Sequence, residues 1–155
     1  MNLGRLAISL IIPLLIGFLG SFLTTPSVNS DWYSNLNKPQ VFPPNWLFAP
    51  VWTFLFILIG ISFYIVWENN FGKNKSQAVL VYSVQLLLNL LWSFFFFYLQ
   101  SPFLGLINII ILWFAILLNI KVFYDVSKTA GLLLVPYILW VTFATYLNYS
   151  VFILN

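Results

Sequence analysis

Five apolar runs divide the chain, and no charged residue falls in the middle of any of them. They cover about Leu6 to Leu23, Trp46 to Trp67, Ala78 to Leu99, Phe103 to Tyr124 and Gly131 to Ile153. At 1.5 Å per residue, runs of this length match a hydrocarbon core ~30 Å thick. Membrane β-strands would need alternation in ~10-residue pieces, and none occurs. The expected fold is all-α and membrane-integral, a five-transmembrane-helix bundle that forms one domain over residues 1–155. Composition points the same way: only 6% of residues are charged and 62% are hydrophobic, whereas a soluble domain carries about 25% charged residues. A soluble globular enzyme is excluded.

Loop signals mark the ends of the runs. The first stops at Thr24-Thr25-Pro26, the second at Glu68-Asn69-Asn70, and the third at Gln100-Ser101-Pro102. A polar connection over residues 27–45 holds Asp31, Lys38, Pro39, Pro43 and Pro44. A cleaved signal peptide is the rival reading of the first run. Its apolar stretch, however, exceeds the usual 7–15 residues, and no A-x-A site follows. Arg5, Lys73, Lys75, Lys121 and Lys128 fall at one side of the membrane and only Lys38 at the other. By the positive-inside rule the N-terminus is expected in the cytoplasm, with the 27–45 loop and the C-terminus outside.

Several chemistries are missing. The chain has no Cys and no His, which removes thiolate nucleophiles, iron–sulfur ligation and the commonest general base. Proton relays, ion-coupled transporters and voltage sensors place ionisable groups inside the membrane, and a retinal protein needs a mid-span Lys. Neither is present. The net charge of +3 comes from scattered loop residues and makes no patch for nucleic acid. With no acid–base pair or nucleophile, conventional catalysis is not expected.

The runs carry stripes. Ser9, Pro13, Gly17, Gly20 and Thr24 share one helical face of the first run, and Gly105, Asn108, Leu112, Ala115 and Asn119 share one of the fourth. Small faces let membrane helices approach closely, either inside one bundle or between two copies. Larger side chains mark the other runs. Trp52, Phe56 and Phe63 lie on a face of the second, Gln85, Asn89, Trp92 and Phe96 on a face of the third, and Tyr137, Trp140, Ala144 and Asn148 on a face of the fifth. Two readings are open. Such faces can converge on a concave cavity for a flat, apolar, aromatic ligand held by a few amides. Aromatic residues also fill bundle cores, and Trp and Tyr gather in interfacial belts. By position, Trp32, Trp46 and Trp67 are expected in such belts and Trp113 toward lipid.

Three blocks carry a resemblance. The first is Asp31-Trp32-Tyr33-Ser34-Asn35-Leu36-Asn37-Lys38-Pro39, followed by Pro43-Pro44 and Val51-Trp52. The second runs Asn89-Leu90-Leu91-Trp92-Ser93-Phe94-Phe95-Phe96. The third runs from Pro136-Tyr137-Ile138-Leu139-Trp140 through Ala144 to Asn148. Together, over nearly the whole chain, they resemble the translocator protein family, the tryptophan-rich sensory proteins (TspO/MBR) also called the peripheral benzodiazepine receptor family.

The resemblance implies a bacterial or archaeal inner-membrane protein, a homodimer, with a pocket covered by the 27–45 loop as a lid. It also implies a receptor or sensor that binds tetrapyrroles such as protoporphyrin IX, with no cofactor or metal required. Alternatives within the family are a translocator of porphyrin or lipid-like molecules and a light-dependent porphyrin-degrading enzyme. Carried over by motif, the pocket would comprise Tyr33, Pro43, Pro44, Trp52, Phe56, Asn89, Trp92, Tyr137, Trp140, Ala144 and Asn148. Trp52 and Trp140 would touch the macrocycle and exchange electrons with it if porphyrin is photodegraded. Asn89 and Asn148 would either hydrogen-bond the ligand or tie helices together. Without His or Cys there is no usual axial ligand for haem iron, which favours a metal-free porphyrin. The sterol-recognition pattern of animal members requires a basic residue after the fifth helix, where this chain has Leu154 and Asn155. A formal match, from Val122 to Lys128, follows the fourth run, but patterns of this kind are weak.

Overall fold

A computed structural model describes residues 1–155. Every regular element is helical: α1 (Leu3–Val28), α2 (Asp31–Asn35), α3 (Asn45–Glu68), α4 (Lys75–Ser93) continuing into a wide π-helical turn (Phe94–Tyr98), α5 (Pro102–Val126), α6 (Lys128–Leu132) and α7 (Val135–Leu154). Five segments are long and apolar enough to cross a membrane, namely α1, α3, α4 with its π turn, α5, and α6 with α7.

Local sequence sets the helix starts. The side chains of Asn2, Ser30, Asn74 and Ser101 accept from backbone N–H groups three residues ahead, at 3.1, 3.4, 3.0 and 3.2 Å, and so satisfy donors that a helix start leaves orphaned. Pro102 follows its cap at the first helical position, where a missing N–H costs nothing. Between α3 and α4 three successive residues, Asn70, Phe71 and Gly72, have φ of 52°, 60° and 64°. For a bulky residue this is an unfavourable conformation. It is held because the Phe71 ring is buried between Phe63 and Trp67, with centroids 5.9 and 6.1 Å away.

One expectation about boundaries needs correction. Thr24-Thr25-Pro26 does not end the first helix, which runs on to Val28 with Pro26 inside its last turns. Pro26 costs a single ladder bond there, and the Asn29 side chain caps the exposed Thr25 carbonyl at 2.9 Å. Within the polar 27–45 connection α2 forms under its Ser30 cap.

The half of the bundle away from the 27–45 loop is packed at its centre. Ile59, Val66, Ile116 and Phe123 are fully buried there, and the Phe63 and Tyr82 rings stack at 4.0 Å. Arg5 of α1 pairs with Glu68 of α3 at 3.1 Å and lies 5.6 Å over the Trp67 ring. Both small-residue stripes pack inward. Ser9, Pro13 and Gly20 on α1 are buried, as are Gly105, Asn108, Leu112 and Asn119 on α5. The Asn108 amide reaches across to the Leu88 carbonyl at 2.9 Å. These faces therefore serve packing within one chain.

Candidate functional site

The other half of the bundle encloses a cavity of about 510 Å³, within the range of small-molecule sites. One wall is α3, where Trp52 stacks on Phe56 with centroids 5.7 Å apart. The facing wall is α4 and its π turn. Trp92 stands 6.3 Å from Trp52, and Phe96 is 5.8 Å from Trp92. The small face of α1, Gly17, Gly20 and Thr24, closes a third side, and Ala144 with Asn148 of α7 a fourth. Small residues on α1 are needed for space: a Cβ on Gly17 would lie 2.6 Å from the Phe56 ring.

The π turn does local work. Leu99 N–H reaches back five residues to the Phe94 carbonyl at 2.9 Å. A wider winding lowers the angle between successive side chains, so Phe96 and Phe97, adjacent in sequence, both line the cavity.

The polar groups deepest in the cavity are engaged within the protein. Trp92 donates its indole N–H to Asn148 Oδ1 at 3.0 Å, and Asn148 Nδ2 donates to the Pro102 carbonyl at 2.7 Å. Asn89 Nδ2 donates to Tyr137 OH at 2.9 Å, which leaves Asn89 Oδ1 as an acceptor. No charged residue lines the cavity.

The roof is the 27–45 connection. Tyr33 is 5% exposed and donates its hydroxyl to Asn45 Oδ1 at 3.2 Å. Burial pushes the Tyr33 phenol up to about 12. The Lys38 ammonium donates to the Tyr33 carbonyl and sits 4.2 Å over the Tyr33 ring, and its pKa is lowered by desolvation. Asn37 and Asn155 clasp the roof to the end of α7, with Asn37 N–H on Asn155 Oδ1 at 2.9 Å and Asn155 Nδ2 on the Asn37 carbonyl at 3.0 Å.

Of the residues carried over by motif, Tyr33, Trp52, Phe56, Asn89, Trp92, Ala144 and Asn148 meet around this cavity. Pro43, Pro44, Tyr137 and Trp140 are not among its walls. Pro44 is spent leading into α3, and Phe42 and Asn45 on either side of the pair turn toward the cavity. Tyr137, 1% exposed, stands behind Trp52 with ring centroids 6.3 Å apart. Trp140 meets Phe48 edge-on at 5.9 Å, and it is Phe48 that lines the space.

The remaining tryptophans lie outside the cavity walls. Trp32 packs on Phe96 at 6.0 Å, and Trp67 lies under Arg5, while Trp46 is 72% exposed. Trp113 donates to Thr142 Oγ1 at 2.8 Å. Phe42, Phe48 and Phe97 were not foreseen. Only the number of aromatic residues around the known motifs hints at them.

The fold and site define a class: a helical membrane protein with an uncharged aromatic chamber beneath a loop roof. Residues 9–154 match the TspO/MBR family. The chain is 49% identical over 155 residues to the Tryptophan-rich protein TspO of Archaeoglobus fulgidus, covering 100% of this chain and 99% of the relative. It is 46% identical over 151 residues to the Tryptophan-rich protein TspO of Chlorobaculum tepidum, covering 97% and 95%. Against the Translocator protein of Homo sapiens the identity is 34% over 138 residues, covering 86% and 82%. The chain belongs to the TspO/MBR family and is an integral membrane protein.

Proposed function

We propose that this protein is a membrane receptor or sensor for tetrapyrroles, with protoporphyrin IX as the representative ligand. The observation that carries the reading is the pair of indoles, Trp52 and Trp92, 6.3 Å apart on the walls of an uncharged cavity. Stacking on aromatic faces and burial of apolar surface supply affinity for a planar macrocycle. Asn89 Oδ1 is a buried amide acceptor left over beside the indoles, suited to a ligand N–H. The acidic edge of a porphyrin has no partner inside, so it lies at the roof, where Lys38 is the nearby cation. The distribution of Arg5, Lys73, Lys75, Lys121 and Lys128 supports an outward-facing roof.

Fluorescence quenching by protoporphyrin IX tests this. Native protein in detergent should show saturable quenching, weakened by about tenfold or more in a Trp52→Ala/Trp92→Ala variant that loses roughly 1–3 kcal/mol at each stacking position. Equal affinity in the two proteins would overturn the reading.

A further inference from the structure

The cavity has a closed roof and an open side. Helices α1 and α3 are antiparallel and touch tightly away from the roof, where a Cβ on Gly60 would lie 2.7 Å from the Ser9 carbonyl oxygen. Past the Gly17–Phe56 contact they cease to fill the space between them. Ser21 and Thr25 on α1 and its capping residue Asn29 recur every four residues, and Asn45, Ala49 and Thr53 every four on α3. All six line the cavity and all six are exposed. Residues that border a cavity and also reach the outer surface mark its mouth. Two such rows on neighbouring helices make that mouth a slit. From Ser21 to Asn29 it runs about 12 Å along α1 at 1.5 Å per residue.

The rims of the slit suit hydrocarbon. Ser21 Oγ donates to the Phe18 carbonyl at 2.6 Å, Thr53 Oγ1 to the Ala49 carbonyl at 2.8 Å, and Asn29 Nδ2 to the Thr25 carbonyl at 2.9 Å. These three side chains are spent on backbone carbonyls of their own segments, and Asn45 Oδ1 on the Tyr33 hydroxyl, as suits groups beside lipid. The Thr25 hydroxyl and the Asn45 amide N–H groups lie nearer the roof. No charge lies on either rim. The roof is the opposite case, with Tyr33 buried, Lys38 folded onto it and Asn37 clasped to Asn155.

We propose that the cavity opens laterally into the bilayer between the roof-side halves of α1 and α3, and that it loads and releases ligands dissolved in lipid. The proposal rests on the ligand-binding reading above and adds a class of ligand. It is a membrane-partitioned amphiphile whose flat apolar body slides through the slit while its acidic edge stays at headgroup level.

The test uses full-length protein in phosphatidylcholine vesicles, with protoporphyrin IX added to the bilayer and intrinsic fluorescence followed in time. Ala49→Phe and Thr25→Phe each fill the slit from one rim, so a folding failure in one leaves the other. Asn37→Cys/Asn155→Cys, oxidised in a chain with no other cysteine, locks the roof. The expected result is that each slit variant slows association and dissociation together by about tenfold or more, since obstruction raises one shared barrier. Lost wall contacts alone would instead speed dissociation. The locked roof should change loading by less than about twofold. Loading that is arrested by the roof disulfide and native in both slit variants overturns the lateral route. No quenching by native protein overturns the binding reading and the route together.

Discussion

Trp92 Nε1 donates to Asn148 Oδ1 across 3.0 Å, joining α4 to α7 directly beside the cavity. Asn148 also holds the Pro102 carbonyl at 2.7 Å, so one amide ties three helices. Asn148→Leu should destabilise the protein by about 1–2 kcal/mol, because it strands a buried indole N–H as well as losing two bonds. Trp92→Phe on that background should cost less than it does alone. Reversible unfolding in mixed micelles across the four proteins of the double-mutant cycle measures this, and strict additivity would refute it.

The glycines give a ranked prediction. A Cβ at Gly60 meets backbone, the Ser9 carbonyl oxygen at 2.7 Å, so Gly60→Ala must push α1 and α3 apart and should lose about 1–3 kcal/mol. At Gly20 the nearest atom is Ser93 Oγ at 3.4 Å, and Gly20→Ala should be neutral or gain up to about 1 kcal/mol from helix propensity. Gly17→Ala pushes on the Phe56 ring and should lower ligand affinity more than stability. Thermal unfolding and porphyrin titration separate the three.

Lys38 should matter for acidic ligands in particular. Lys38→Gln is expected to weaken protoporphyrin IX binding by roughly two- to fivefold, the scale of an exposed ion pair. The loss should shrink for the dimethyl ester, which carries no anion. An equal loss with both ligands would show that Lys38 acts only by holding the roof.

Alkaline pH should loosen the roof. Tyr33 titrates near 10.0 when unfolded and is pushed up to about 12 when folded. Between those values the folded state holds a proton that the unfolded state has released, so this contribution to stability falls as pH rises from 10 to 12. Lys38, with its pKa lowered from 10.5, acts in the opposite sense below 10.5, where the unfolded chain binds more protons. In Tyr33→Phe the stability loss between pH 10 and 12 should be smaller than in native protein. Denaturation midpoints at stepped pH check the difference.

Much of this architecture was legible in the sequence. Five apolar runs with no charge in their middles leave few alternatives to a bundle in so short a chain, because unpaired charges and open backbone are costly in lipid. Helical periodicity placed Trp52 with Phe56, Asn89 with Trp92, and Ala144 with Asn148. Periodicity stops at the single helix, however. It put Trp140 on the same face as Ala144 but did not reveal Phe48 arriving from α3 in front of it. Nor did it separate Gln85 from Asn89 and Trp92. Gln85 is fully buried outside the cavity walls, with neither end of its amide hydrogen-bonded within the protein. Pairings such as Trp92 with Asn148 depend on the register between helices, which a one-dimensional pattern does not carry.

The wide turn at Phe94–Tyr98 makes chain length matter more than residue identity at that point. Exchanging one of its phenylalanines for another ring keeps the phase of everything that follows. Excising any one of them would restore ordinary winding and turn the next side chains by about 100°. The rings beyond the deletion would lose their places on the cavity wall, and the run into Ser101 would start out of step. Single-residue gaps that a loop absorbs without consequence would here act as a vernier slipped by one notch.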